Sequence, residues 1–265
     1  MADVEFRTEN NVLWITLNRP EQMGAMTSDM RDEIIGQLLA ARTDLAVRAI
    51  VLTGRGKGFC SGADLSRPPG AAAPTEPPPI GAAREMMKGG SQRLLRSVWE
   101  IEKPVVAAIN GVAAGLGAHL AFACDLILAA EGVRFIEVFV RRGIAIDAAG
   151  GFILPRVMPL TKAKELVFFG DDLPAEEAYR LGVVNRVVPA DQLEQVAREW
   201  AERLATGPTF AMGASKRLLN RGTESGIDTC FEEESLTQAL VTQSDDSKEG
   251  MNSFRERRKP AFRGR

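Results

Sequence analysis

The stretch from Pro104 to Ala130 is the longest apolar run of the chain, and at about 20 residues or more such a run can span a bilayer. Asn110, His119 and Asp125 interrupt it, together with glycines at 111, 115 and 117. Lipid disfavours polar groups and turns at that density, whereas a protein core accommodates them between short elements. The run therefore reads as strand, turn, helix, strand in a buried core. Val105 to Ile109 and Asp125 to Ala129 supply the strands, and Gly115 to Ala123 the helix.

Two strands to one helix is also the unit upstream. Residues 3 to 7 and 12 to 17 are rich in β-branched and aromatic side chains around Glu9-Asn10-Asn11, the pattern of a hairpin. Thr27 and Ser28 offer N-caps to a helix over residues 29 to 42, whose Met30, Ile34, Leu38 and Ala41 fall on one face. A short buried strand over Ala49 to Thr53 leads into a glycine-rich loop from Gly54 to Gly62. Ser66 to Ile80 holds six of the 14 prolines. Proline locks φ and removes a backbone donor, so this segment is expected as a surface loop or lid. A helix is expected over Ala82 to Trp99. Farther on, helices are expected over 160–169, 175–181, 190–204, 210–221, 225–242 and 248–257, with a strand only around Val183 to Val188. The fold class is thus α/β: a mixed-sheet core over residues 1–200 and a helical region over 201–265. The last helices serve either core packing or oligomerisation.

Composition removes several function classes. The 33 Lys and Arg against 35 Asp and Glu give a net charge of -2, so no global positive field gathers nucleic acid. Cys60, Cys124 and Cys230 lack CxxC spacing and His119 is the single histidine, so a Cys/His zinc site cannot be assembled and no metal is expected. The N-terminus MADVEFRTENN carries charges where a signal peptide needs an apolar core, which points to the cytoplasm and to no membrane partner. Gly115-Leu116-Gly117-Ala118-His119-Leu120 lacks the third glycine of a dinucleotide fingerprint, and Gly54-Arg55-Gly56-Lys57-Gly58 does not end as a P-loop does. Ser61, in Gly58-Phe59-Cys60-Ser61-Gly62, does not match a hydrolase nucleophile elbow. His119 is the one possible triad base, and beside small apolar residues it reads more readily as a buried packing residue than as a catalyst.

What remains is a pair of glycine-rich turns, each directly after a strand: Gly62-Ala63-Asp64, and Ala114-Gly115-Leu116-Gly117 at the start of a helix. Backbone N–H groups exposed at two such turns can converge on a developing oxyanion, and small residues let a carbonyl approach closely. The same glycines also suit ordinary tight turns.

Four segments in this order resemble the enoyl-CoA hydratase/isomerase (crotonase) superfamily: Leu17-Asn18-Arg19-Pro20; TGRGKGFCSGADL from Thr53; AINGVAAGLGAHLAFACD from Ala108; and EGMNSFRERRKPAF from Glu249. The resemblance implies a ββα spiral core, an acyl-CoA thioester as substrate with coenzyme A as part of it and no separate cofactor, and C-terminal helices that build a homotrimer or hexamer. It assigns the oxyanion donors to the backbone N–H groups of Ala63 and Leu116. It places Ser61, Gly62, Asp64, Leu65, Ser66, Gly115 and Phe139 along the thioester and CoA site, Gly24 and Ala25 near the adenine and pantetheine, and Lys259 and Phe262 of the basic tail near a CoA of their own or a neighbouring subunit.

The departures concern the acids. The hydratases of the family use two glutamates, and alignment through Gly117 and Gly143 puts His119 and Phe139 at those positions, with Glu137 two residues off the second. Asp147 matches the aspartate that isomerases of the family carry. In an apolar setting its carboxyl is expected to titrate high, which suits a proton shuttle; as a residue before AAGGFIL it also reads as a helix N-cap. The resemblance implies double-bond isomerisation by Asp147, with His119 assisting. Hydration by a water held on His119 and Asp147, thioester hydrolysis, and a non-catalytic acyl-CoA-binding member are the alternatives.

Overall fold

The computed structural model describes residues 2–66 and 79–265. Most of the proline-rich segment expected as a loop or lid therefore lies outside the described residues.

Strands β1 (Val4–Glu9) and β2 (Val12–Leu17) form the expected antiparallel hairpin, with Asn10 and Asn11 at positive φ in its turn. Helix α1 (Ser28–Thr43) follows, capped by the Thr27 side chain, which accepts a hydrogen bond from the Met30 N–H at 3.2 Å. Its buried residues are Met30, Ile34, Ile35, Leu38 and Ala41, the periodic face. From there the chain repeats a plan. β3 (Ala49–Gly54), β5 (Val105–Ile109), β7 (Leu126–Ala130) and β10 (Arg186–Val188) extend the hairpin in parallel, giving the order β1-β2-β3-β5-β7-β10. β5 is buried at all five residues, as a strand covered on both faces must be.

Each of β3, β5 and β7 is followed by a three-residue strand that leaves for a second sheet. These are β4 (Gly58–Cys60), β6 (Val112–Ala114) and β8 (Arg134–Ile136), which with β9 (Asp172–Pro174) give the order β4-β6-β8-β9. The second sheet departs from expectation: residues 58–60 read as loop, and 112–114, 134–136 and 172–174 carry no strand signal. Three residues are too few to display a period of two, so their pairing is decided by the neighbours they meet. β4, β6 and β8 run parallel, and the residues after their carboxyl ends therefore emerge along one edge.

The helix expected over Ala82 to Trp99 is two, α2 (Ala82–Gly89) and α3 (Ser91–Glu100), broken at Gly90. Helix α4 (Leu116–Phe122) is buried at every residue, and α5 (Gly150–Val157) packs against it. The remaining helices are α6 (Leu160–Phe169), α7 (Ala175–Arg180), α8 (Leu193–Ala205), α9 (Thr209–Gly222), α10 (Ile227–Val241) and α11 (Asp245–Glu256). α8 lies on the larger sheet through Ala197 and Ala201, so residue 200, expected to end the core, falls inside a helix of that core. No helix among the described residues is long and apolar enough to cross a membrane.

Candidate active site

The two glycine-rich turns meet at the edge formed by β4 and β6. Ala63 bridges Met26 in parallel: the Met26 N–H donates to Gly62 O at 2.8 Å and the Asp64 N–H to Met26 O at 2.9 Å. Alternation along an extended chain then turns the Ala63 N–H away from Met26, and among the described residues it has no acceptor. Leu116 is the first residue of α4, so its N–H has no intrahelical partner either, while the Gly115 N–H is spent on Ile136 O at 2.9 Å. The turns abut. A Cβ added to Gly62 would lie 3.2 Å from Ala114 O, and one on Gly117 would collide with the Cys60 carbonyl.

Beside the first turn, Arg19 Nη1 donates to Asp64 Oδ2 and to Ala25 O, both at 2.7 Å, and the Ser66 N–H donates to Asp64 Oδ1 at 2.8 Å. Hydrogen bonding from Ser66 and the Arg19 guanidinium hold the Asp64 carboxyl down at about 2. Ser61 ties the same loops, its N–H donating to Met23 O at 3.0 Å and its hydroxyl to Gln22 O at 3.1 Å. Gly24 packs on the Phe59 carbonyl, where a side chain would collide. The structure thus brings Gly24, Ala25, Ser61, Gly62, Ala63, Asp64 and Ser66 into one pinned loop cluster, with the Leu65 side chain exposed. Arg19 joins the site through these bonds, and its signal in the sequence is the LNRP motif. Cys60 is fully buried beneath, and burial pushes its thiol up to about 11, which makes it inert as a nucleophile.

Behind the second turn lies a buried pair. His119 Nε2 is 3.1 Å from Glu137 Oε2, with His119 fully buried and Glu137 3% exposed. Glu137, two residues before Phe139, is the acid that meets the histidine. Glu137 directly follows β8, so it emerges on the same edge as the two turns and faces His119. Phe139, expected along the substrate, is buried and stacks on the His119 ring, with centroids 5.5 Å apart and planes inclined by 15°. Gly150 closes the remaining side, since a Cβ there would collide with His119 Cε1.

Asp147 is not a helix cap. α5 begins at Gly150 with Ala149 as its N-cap and no side-chain cap, and only the Asp147 backbone carbonyl engages, accepting from the Gly150 N–H at 2.8 Å. Ala148 and Ala149 both hold positive φ, a costly conformation for residues with a Cβ, so the turn after Asp147 is strained. Among the described residues the Asp147 carboxylate has neither a hydrogen-bond nor an ion-pair partner. Burial pushes its carboxyl up from the ordinary 3.8, and the nearby His119 imidazole opposes that shift.

Lys259 and Phe262 are elsewhere. The tail folds back on α11, where the Asp246 carboxylate accepts from the Arg263 and Gly264 N–H groups at 2.6 and 2.7 Å. The Phe262 carbonyl accepts from Arg48 at the amino end of β3, away from the carboxyl edge that carries the turns. Within one chain the tail is therefore not part of the cluster. A cavity of about 850 Å³ lies between α3, α5 and α9, with Leu95, Trp99, Phe152 and Ile153 on its walls, and Ala149 of the turn after Asp147 lines it too.

The ββα repeat, the two sheets and the helical C-terminal region define a crotonase-like α/β fold. The enoyl-CoA hydratase/isomerase family model matches residues 7–265, and the chain belongs to this enzyme family. It is 36% identical over 258 residues to 1,2-epoxyphenylacetyl-CoA isomerase of Escherichia coli (strain K12), covering 97% of both chains. It is 34% identical over 263 residues to (E)-benzylidenesuccinyl-CoA hydratase of Thauera aromatica, covering 98% of this chain and 99% of that one. The crystal structure of enoyl-CoA hydratase from Bacillus anthracis superposes with a TM-score of 0.90 at 30% identity, covering 100% of both chains.

Proposed function

We propose that the protein binds an unsaturated acyl-CoA thioester and moves its double bond. The thioester carbonyl oxygen lies between the N–H groups of Ala63 and Leu116, which stabilise the enolate that forms when a proton leaves the acyl chain. Asp147 removes that proton from one carbon and returns it to another, with His119 beside it. The observation that carries this reading is the Asp147 carboxylate: half-buried, without a partner among the described residues, titrating above its ordinary range, on a strained turn next to His119. A carboxylate held in that way by no structural bond is available to substrate. The absence of a glutamate at position 119 argues for isomerisation over two-glutamate hydration.

Incubation with crotonyl-CoA and with a 3-enoyl-CoA, following hydration, isomerisation and free thiol release separately, tests the proposal. Isomerisation of the 3-enoyl-CoA is expected. Hydration alone assigns a water to His119 and Asp147, thiol release assigns hydrolysis, and CoA binding without turnover assigns a non-catalytic member.

We also propose a trimer or a pair of trimers in the cytoplasm. On α10, Thr237 is the buried residue, while Ile227, Phe231, Leu236 and Leu240 are exposed, joined by Leu219 on α9. An apolar face of that kind needs a cover, and a second copy in a symmetric assembly supplies one. Lys259 and Phe262 then serve a CoA site of a neighbouring subunit. Light scattering reads the mass directly, and a monomer overturns this part.

A further inference from the structure

The buried pair behind Asp147 has a feature that packing alone leaves unexplained. His119 Nε2 meets Glu137, but Nδ1 is buried with no hydrogen-bond partner among the described residues. Leaving a buried polar atom unpaired costs about 1–3 kcal/mol, so an orphan beside a reaction site calls for a reason. The ring borders the strained turn through Cε1, the carbon between its two nitrogens: a Cβ on Gly150, three residues from Asp147, would collide with Cε1 and lie 2.5 Å from Nε2 and 2.9 Å from Nδ1. Phe139 holds the ring's face, the Gly150 backbone its edge and Glu137 its far nitrogen.

We propose that Glu137 is a positioning residue: its carboxylate accepts from His119 Nε2–H and thereby keeps Nδ1 as a free lone pair that can receive a hydrogen bond from Asp147. The proposal rests on the reading of Asp147 as the base. In the forward step the substrate C–H bond breaks, its electron pair enters the thioester enolate, and the proton converts the Asp147 carboxylate to a carboxylic acid. That acid gains an O–H donor that the carboxylate lacked, and the waiting Nδ1 accepts from it. The hydrogen bond forms only in the protonated state, so it stabilises the acid while the proton waits to be returned to the second carbon. Glu137 touches no reacting atom. A carboxylate that fixes an imidazole's tautomer so that the other nitrogen is free to accept is a recurring arrangement in proton-transfer sites.

His119 is the sole histidine of the chain, so protein labelled with 15N in the imidazole ring gives one pair of ring signals. At the high-pH limit of its titration, Nε2 is expected to carry the proton and Nδ1 to be bare. In Glu137→Gln the amide can donate as well as accept, and the two signals are expected to move toward each other as both tautomers become populated. A proton on Nδ1 in the unaltered protein, or identical signals in Glu137→Gln, overturns the proposal. With a 3-enoyl-CoA, Glu137→Gln is expected to lower kcat about tenfold at unchanged KM. In a His119→Gln background the same change is expected to alter kcat less than about twofold, because its effect runs through His119. Additive losses overturn the proposal. Wild-type protein that fails to isomerise the 3-enoyl-CoA overturns the reading of Asp147 instead, and the ring signals still decide the tautomer.

Discussion

Asp64 and Asp147 are the same residue type beside the same edge of the molecule, and they have opposite surroundings. Asp64 is bound by Arg19 and Ser66 and is held at about 2, so it stays ionised and structural. Asp147 is bound by nothing among the described residues and is pushed upward by burial. The difference teaches that hydrogen-bond partners, not residue type, separate a carboxylate that holds a loop from one that can exchange a proton.

Substitutions can break that comparison. Asp147→Asn is expected to lower 3-enoyl-CoA isomerisation by about 10²–10⁴-fold, the range for losing a general base, which a stopped-time assay reads. Stability is expected to move the other way. A carboxyl raised in the folded state favours folding below pH 3.8 and loses that contribution as pH rises through its folded value. Removing the charge should therefore leave urea stability at pH 7 unchanged or raised by about 1 kcal/mol. A destabilised Asp147→Asn would place Asp147 among the structural carboxylates.

Gly117→Ala tests the abutment of the two turns independently of any acid. The new methyl group collides with the Cys60 carbonyl, and a loss of about 3 kcal/mol is expected in denaturant melts, with isomerisation falling as the turns separate. Asp64→Asn is expected to cost about 1–2 kcal/mol at pH 7 by weakening the Arg19 and Ser66 bonds. Because the folded carboxyl is depressed, its contribution is present above pH 3.8 and is lost as pH falls toward about 2; melts of the two proteins should converge there. Thr27→Ala, whose side chain bonds neither aspartate, removes the cap of α1 and is expected to cost about 1 kcal/mol, with a far smaller loss of kcat than Asp147→Asn.

The long elements were legible without coordinates. α1 carries a full apolar period and a capping threonine, β3 and β5 are uniform apolar runs, and the family motifs named both turns. The second sheet was not, since β4, β6 and β8 are three residues each and acquire their identity by pairing. Nor was the contact of Glu137 with His119 legible: a position counted along the chain carries no information about which residue at the end of β8 meets His119 across 3.1 Å. The sequence alone determined the α/β class, the lone histidine and the two small-residue turns, because periodicity and composition are local properties. Which carboxylate is bound and which has no partner among the described residues, and that His119 is anchored through Nε2, were decided by tertiary structure, because burial and hydrogen-bond partners come from residues distant in the chain.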